Sequence, residues 1–265
     1  MQNKTYHRVG PDYRFDEQVS FHDIKETFGL NHIRLGSWVE EDEKHKAANL
    51  IFDSLADLAF MLKLPPIAIG LRQTLNLAFG SGGQLGVQAH YMPTGRELAL
   101  AKNAGAGALA HEFWHAYDHY IASKAFKIPS NNRGAGGASF ASSCWLADVP
   151  SIKHPLNQRL ERVFATTFLT HDGLDSHEYV DRAVALDNQY GRQYFSKPTE
   201  LMARAFEACI ESYPEISNSY LVNETLSSNL ADAGGYPDTQ HRQQIFSALI
   251  AYFEPLGEAL GREVS

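Results

Sequence analysis

Leu109-Ala110-His111-Glu112-Phe113-Trp114-His115-Ala116-Tyr117-Asp118 is the stretch around which the rest of the chain is read. Residues four apart on a helix share a face, so His111 and His115 can present two imidazoles to one metal ion. Glu112 stands beside them, placed to take a proton from a metal-bound water. The neighbours support a helix. Leu109, Phe113, Trp114, Ala116, Tyr117, Tyr120 and Ile121 fall on the opposite side of the wheel, leaving a polar face with His111, His115 and Asp118. With 12 His in 265 residues, a chance His-Glu-x-x-His is expected in roughly one such sequence in thirty. Both histidines and the glutamate avoid the apolar face, so a surface helix with two unrelated histidines is the weaker reading.

A chain of 265 residues with 44% hydrophobic and 20% charged residues has the composition of a globular protein with a substantial core. The formal net charge of −8 argues against nucleic acid as a partner. No apolar stretch approaches bilayer-spanning length, and residues 1–15 lack the apolar segment of a signal peptide, so a cytoplasmic protein without membrane contact is expected. Cys144 and Cys209 lie far apart without metal-type spacing and are read as reduced thiols, with Cys209 packed in a helix.

Working outward, residues 1–20 read as an irregular arm broken at Gly10-Pro11, followed by a single domain over 21–265. Ile33 and Leu35, with Val39 beyond them, suggest a short strand. Ile51, Leu55, Leu58 and Leu62 mark a helix over 40–62, started by acidic residues and stopped by Pro65-Pro66. Short strands are expected at 67–69, 75–79, 85–91 and 97–101, with a tight turn at Gly80-Ser81-Gly82-Gly83. Gly105 and Gly107 before the motif helix permit close backbone packing. Residues 127–150, rich in Gly, Ala, Ser and Asn, read as one long loop. Helices are expected at 156–169, 176–190, 198–213 and 239–260.

Two histidines leave a zinc site one protein ligand short. In the helix beginning near Pro198, Glu200, Ala203, Arg204 and Glu207 share one face, and either glutamate is a candidate. They are about 10 Å apart along the axis, so one ion does not reach both. At this point the chain resembles a known family, the zincin-like metallopeptidase domain associated with large polyvalent proteins of phages and other mobile elements, including its CLCA-X type. The resemblance covers roughly residues 21–253. It rests on Phe28-Gly29-Leu30 with Arg34, Gly36 and Trp38-Val39; on Ala78-Phe79-Gly80 followed by Ala89-His90-Tyr91; on Gly105-Ala106-Gly107 leading into His111-Glu112 and His115 to Asp118; and on Glu200 with Ala203-Arg204-Ala205-Phe206-Glu207. Tyr236-Pro237 before a helix also fits. Trp114 stands where the family often has a small residue, and His241-Arg242 where an acidic–basic pair is expected.

The resemblance implies an α+β, mainly helical zincin-like fold with a small twisted sheet packed against the His-Glu-x-x-His helix. It favours Glu200 as third ligand, because its Glu-x-x-Ala register is similar to the gluzincin pattern. Glu207 then becomes an acid behind the ligands, holding Arg204 or a histidine. Asp118 is expected to hydrogen-bond a ligand imidazole, with a solvent-facing acid as the alternative. His119 could form a shifted pair with His115, though without a following Glu. Tyr236, His241 and Arg204 are candidates for the donor that meets a tetrahedral oxyanion. His90 and Tyr91 are expected to line the cleft, where a strand edge can hold extended peptide. The function expected is hydrolysis of peptide bonds in a peptide or protein substrate, with Zn2+ as cofactor and Glu112 as general base. The rival is a catalytically silent, zinc-stabilised protein that holds a partner in the cleft.

Overall fold

The computed structural model describes residues 6–37, 39–80, 89–101, 107–128 and 139–264. The architecture is α+β. The arm contributes β1 (Arg8–Val9), and α1 (Phe21–Phe28), β2 (His32–Leu35) and α2 (Glu41–Met61) follow it. A 3-10 turn (Pro66–Gly70) leads into β3 (Asn76–Phe79), β4 (Ala89–Met92) and β5 (Glu97–Leu100), and then the motif helix α3 (Leu109–Ala125). The remainder comprises α4 (Ala141–Leu146), α5 (Pro155–Phe168), α6 (Glu178–Tyr190), α7 (Pro198–Glu211), β6 (Ser217–Asn218), α8 (Asn229–Asp232) and α9 (Thr239–Val264).

The main sheet has the order β2-β3-β5-β4, with β2, β3 and β5 parallel and β4 antiparallel at one edge. Burial along the strands explains the order. Leu77, Ala78 and Phe79 of β3 are all buried, as an inner strand covered on both faces requires. In β2 the exposed His32 and Arg34 alternate with Ile33 and Leu35, which suits an edge. At the opposite edge, β4 and its neighbour β5 pack against α3.

Helix α3 is the core's central element. Phe113 and Trp114 are fully buried, and both meet Phe206 of α7, at ring separations of 6.4 and 4.9 Å. The entry to α3 is set by Gly107, whose φ is +93° and whose added Cβ would stand 2.6 Å from the Asn223 backbone nitrogen. A side chain there would displace the 220–223 segment, which accepts hydrogen bonds from Gly107 N and Ala110 N.

Residues 6–20 are tied to the body by charge. Arg8 donates to both oxygens of Asp57 at 2.8 and 2.7 Å, and Arg14 donates to both oxygens of Asp53 at 2.9 and 3.0 Å. Asp57 is fully buried on α2 and also accepts from Asn218 Nδ2, so this buried charge has its partners.

Two expectations need correction. Residues 67–69 belong to the 3-10 turn and form no strand. Pro65 and Pro66 have no N–H for a ladder, and their fixed φ feeds a tight turn instead. Residues 127–150 are not one long loop, because α4 lies within them. Its Cys144 and Trp145 reach the core, and Trp145 packs on Phe164 and Phe168. Within the long α9, Pro255 removes one intrahelical bond, and Arg159 Nη1 takes its place by donating to the Ala251 carbonyl at 2.7 Å. Residues 81–83 of the expected turn, 85–88 of an expected strand, Gly105, Ala106, Trp38 and 129–138 lie outside the described residues.

Candidate metal centre

Three side chains from two helices converge. His111 and His115 project from α3, and Glu200 projects from the first turn of α7. The two Nε2 atoms are 3.1 Å apart. His111 Nε2 lies 3.4 Å from Glu200 Oε2, and His115 Nε2 lies 3.5 Å from Glu200 Oε1. Donors bound at about 2.0–2.1 Å to a tetrahedral ion stand about 3.3–3.4 Å from one another. Each oxygen of Glu200 thus faces one imidazole at about that separation, and one donor atom from each of the three residues lies within 4.8 Å of the other two, close enough to share an ion. Glu200 Oε2 is buried without a hydrogen-bond partner, an orphan acceptor that a cation would satisfy. Among the described residues, His111, His115 and Glu200 form the group of His, Cys and acidic residues able to hold an ion.

A layer of partners fixes these donors. Glu207, two turns beyond Glu200, has Oε2 at 3.2 Å from His111 Nδ1. That contact holds the His111 proton on Nδ1 and leaves Nε2 free to coordinate. The Tyr236 hydroxyl faces Glu207, and burial followed by this carboxylate drives its pKa far above the usual phenol range. Tyr194 plays the matching part at Glu200: burial and then that carboxylate raise its pKa, and Glu112 is within electrostatic reach.

Arg204 ties the two tyrosines together. It is buried between Glu200 and Glu207 on α7, but its guanidinium pairs with neither. Nε donates to the Gly235 carbonyl at 2.9 Å and Nη2 to the Phe195 carbonyl at 2.5 Å. One carbonyl precedes Tyr236 and the other follows Tyr194. Asp187 secures the second loop, accepting from the backbone N–H groups of Tyr194, Phe195 and Ser196 at 2.7, 2.7 and 2.9 Å. Burial opposes the charge on Asp187, but the Ser196 hydroxyl and these N–H groups outweigh it and hold the carboxyl at about 2.

Glu112 points toward the sheet. Its Oε2 accepts from Tyr91 N of β4 at 2.6 Å. Burial raises its pKa to about 7, against the opposing pull of His111 and the Tyr91 N–H. Burial would lower His111, but Glu207 and Glu200 overcome it and bring the imidazole to about 10. His115 is pushed down to about 4 by burial and then by the charge on His111. For Glu200, burial is outweighed by His111, His115 and Tyr194, which hold the carboxyl at about 2. The cluster thus gathers three carboxyl groups around two imidazoles and draws positive charge to its centre.

Two expectations fail here. Asp118 touches no ligand and does not face solvent. It is fully buried, accepting from Ser142 N at 2.8 Å and Ser142 Oγ at 2.5 Å. The folding of α4 over α3 covers what the helical wheel presents as an open polar position. His241 also lies off the site. Its Nε2 donates to the Thr166 carbonyl of α5 at 2.8 Å, and its ring stacks on His177. His119 does not form a second centre with His115, since its Nδ1 meets the Tyr91 hydroxyl at 2.7 Å. His90 and Tyr91 sit on β4, the sheet edge beside α3. Tyr194 carries no mark in the sequence; it lies in a short loop whose proximity to Glu200 depends on Asp187 and Arg204, and no periodic pattern singles it out.

Residues 186–260 match the family model of large polyvalent protein-associated domain 1. The match links this segment to large polyvalent proteins. It runs from the end of α6 into α9 and holds Tyr194, Glu200, Arg204, Glu207 and Tyr236, but not the histidines of α3. No curated protein and no solved structure matches the chain. No helix among the described residues is long and apolar enough to cross a membrane.

Proposed function

We propose that this protein is a zincin-like, zinc-dependent metallopeptidase. The observation that carries the reading is the spacing of His111 Nε2, His115 Nε2 and Glu200 around a common centre, with the orphan oxygen of Glu200 inside it. These three residues would hold the ion. Bound there, zinc would supply Lewis acidity toward water and toward a scissile carbonyl.

The chain's own residues do the rest. Glu112 takes the proton of the attacking water and hands it to the leaving amine. The Tyr91 N–H fixes one of its oxygens and leaves the other for the water. Glu207 orients His111. Tyr194 is the hydroxyl best placed to donate to the oxyanion, since it neighbours both Glu200 and Glu112, whereas Tyr236 is engaged with Glu207. The edge strand β4 beside α3 would take an extended peptide as an added strand. Peptide or protein is therefore the proposed substrate, in a phage or other mobile-element setting.

The test is a peptide library incubated with the zinc-loaded protein and with its Glu112→Gln variant. Cleavage by the parent and a loss of about 10²-fold or more in the variant are expected. One zinc per chain without turnover would support the silent, zinc-stabilised reading instead.

A further inference from the structure

We propose that the apolar cavity behind α3 binds a small amphipathic anion, in the simplest case an unbranched alkyl carboxylate. The inference goes beyond the metal-site reading and does not depend on it. The cavity measures about 600 Å³ and lies between the 3-10 turn, the outer side of α3 and the end of α9. That volume falls within the roughly 300–1,000 Å³ of small-molecule sites. Leu64, Leu71, Phe113, Ile121, Leu256 and Leu260 make an apolar wall. Phe113 stands about 160° from both His111 and His115 on the helical wheel, and none of His111, His115 and Glu200 lines this space, so it is separate from the metal centre.

The mouth is positively charged. Arg72, Lys124 and Glu263 line it, and Glu263 is taken up by Arg72 Nη2 at 3.0 and 2.9 Å. The Lys124 ammonium rests over the Tyr120 ring, 3.9 Å from its centroid. Among the described residues, neither Lys124 nor Arg96 has a carboxylate partner. Burial lowers the pKa of Lys124, and Arg96, which does not line the cavity, and Arg72 lower it further, so Lys124 feels like charge from two sides. An anionic head would relieve that repulsion while its tail enters the apolar space.

The backbone supplies a second observation. Leu71, Arg72 and Gln73, all lining the cavity, adopt φ of 54°, 57° and 57° in succession. Side chains with a Cβ disfavour this left-handed region, and such strain collects at ligand clamps. The turn is locked by Thr74 N donating to the Gly70 carbonyl at 3.1 Å and Thr74 Oγ1 to the Leu71 carbonyl at 2.7 Å. It presents Arg72 to the mouth and Leu71 to the interior wall.

Calorimetric titration of the full chain with decanoate, decyltrimethylammonium and acetate tests the proposal. Decanoate is expected to saturate one site, acetate to give no binding, and decyltrimethylammonium to bind at least about tenfold more weakly. Lys124→Glu, an exposed position, should weaken decanoate by about tenfold or more, and Ile121→Trp should remove its binding by filling the space. Equal affinities for the two ten-carbon ligands would overturn the proposal, as would decanoate binding unchanged in Lys124→Glu. Because Lys124→Glu leaves the interior intact, these two comparisons decide even if Ile121→Trp fails to fold.

Discussion

Two pairs of histidines in this protein show how surroundings set the use of the same side chain. In the α3 pair, the rings of His111 and His115 stand edge-on at 75°, with Nε2 atoms 3.1 Å apart and glutamates on either side. In the second pair, the rings of His177 and His241 stack at 20° with centroids 3.6 Å apart. Their nitrogens are turned to the backbone: His177 Nδ1 accepts from Tyr179 N as a helix cap, and His241 Nε2 donates to Thr166 O. Burial lowers both of these imidazoles, and Asp238 does not compensate. Convergent lone pairs among carboxylates attract a cation. Stacked rings pinned by peptide groups stay neutral and act as packing.

The comparison breaks most directly at the metal. The protein is expected to bind about one zinc per chain, and His111→Ala/His115→Ala should bind none. His177→Ala/His241→Ala should keep full occupancy. Mass spectrometry of the zinc-loaded proteins measures both, and retained zinc in the first double variant would place the site elsewhere. Zinc affinity should also fall at low pH, as the ligand histidines become protonated.

The glutamates sharpen it. Glu200→Ala removes a ligand and should lower zinc affinity by more than about 100-fold, whereas Glu207→Ala, which removes no ligand but frees His111 Nδ1 and the Tyr236 hydroxyl, should cost roughly 10-fold to 100-fold. Competition with a chelator ranks the two. A weaker-binding Glu207 variant would exchange their roles.

A third experiment concerns the clamp behind the glutamates. Arg204→Lys cannot span the Phe195 and Gly235 carbonyls, so Tyr194 and Tyr236 lose their common anchor. The expected result is a fall in kcat of about tenfold with zinc occupancy near that of the parent. A variant that loses zinc and turnover in proportion would make Arg204 a support of the fold alone.

These outcomes follow a gradient in what the sequence discloses. His111, Glu112 and His115 are legible because one helix and one period bring them together. Glu200 is legible through its register in a second helix, although its meeting with α3 also depends on the Trp114–Phe206 contact. The four long helices α5, α6, α7 and α9 are read nearly to their ends because their apolar periodicity is strong, whereas the short α4 and α8 carry too few residues to show a period and are missed. Tyr194 is not legible, since its position depends on a carboxylate seven residues earlier and a guanidinium ten residues later. Asp118 and His241 mislead for one reason: a helical wheel gives the direction of a side chain but not what another helix lays over it. For Asp118 the covering element is α4, and for His241 the partner is α5. The strand expected at 67–69 fails on a local rule, because two prolines outweigh three apolar residues.

The smallest effect tests whether the stacked pair is truly neutral. His241 is buried and its pKa is lowered from 6.5 to about 4. In the unfolded chain the imidazole takes up a proton as pH falls through about 6.5, while the folded protein refuses it until about pH 4. Stability linked to His241 is therefore complete above about pH 7 and is lost as pH falls toward 4. Between pH 7 and 5 this group should cost about 1 kcal/mol, discounted for residual solvent screening. Zinc would add its own dependence through the other pair, so urea unfolding is compared at both pH values in the presence of a chelator. His241→Gln keeps an amide donor for the Thr166 carbonyl but cannot titrate, and its loss between pH 7 and 5 should be smaller than the parent's by that amount. Equal losses in the two proteins would mean that His241 is charged in the fold. The stacked pair would then carry positive charge in spite of its burial, with Asp238 compensating after all, and the distinction drawn between the two histidine pairs would fall.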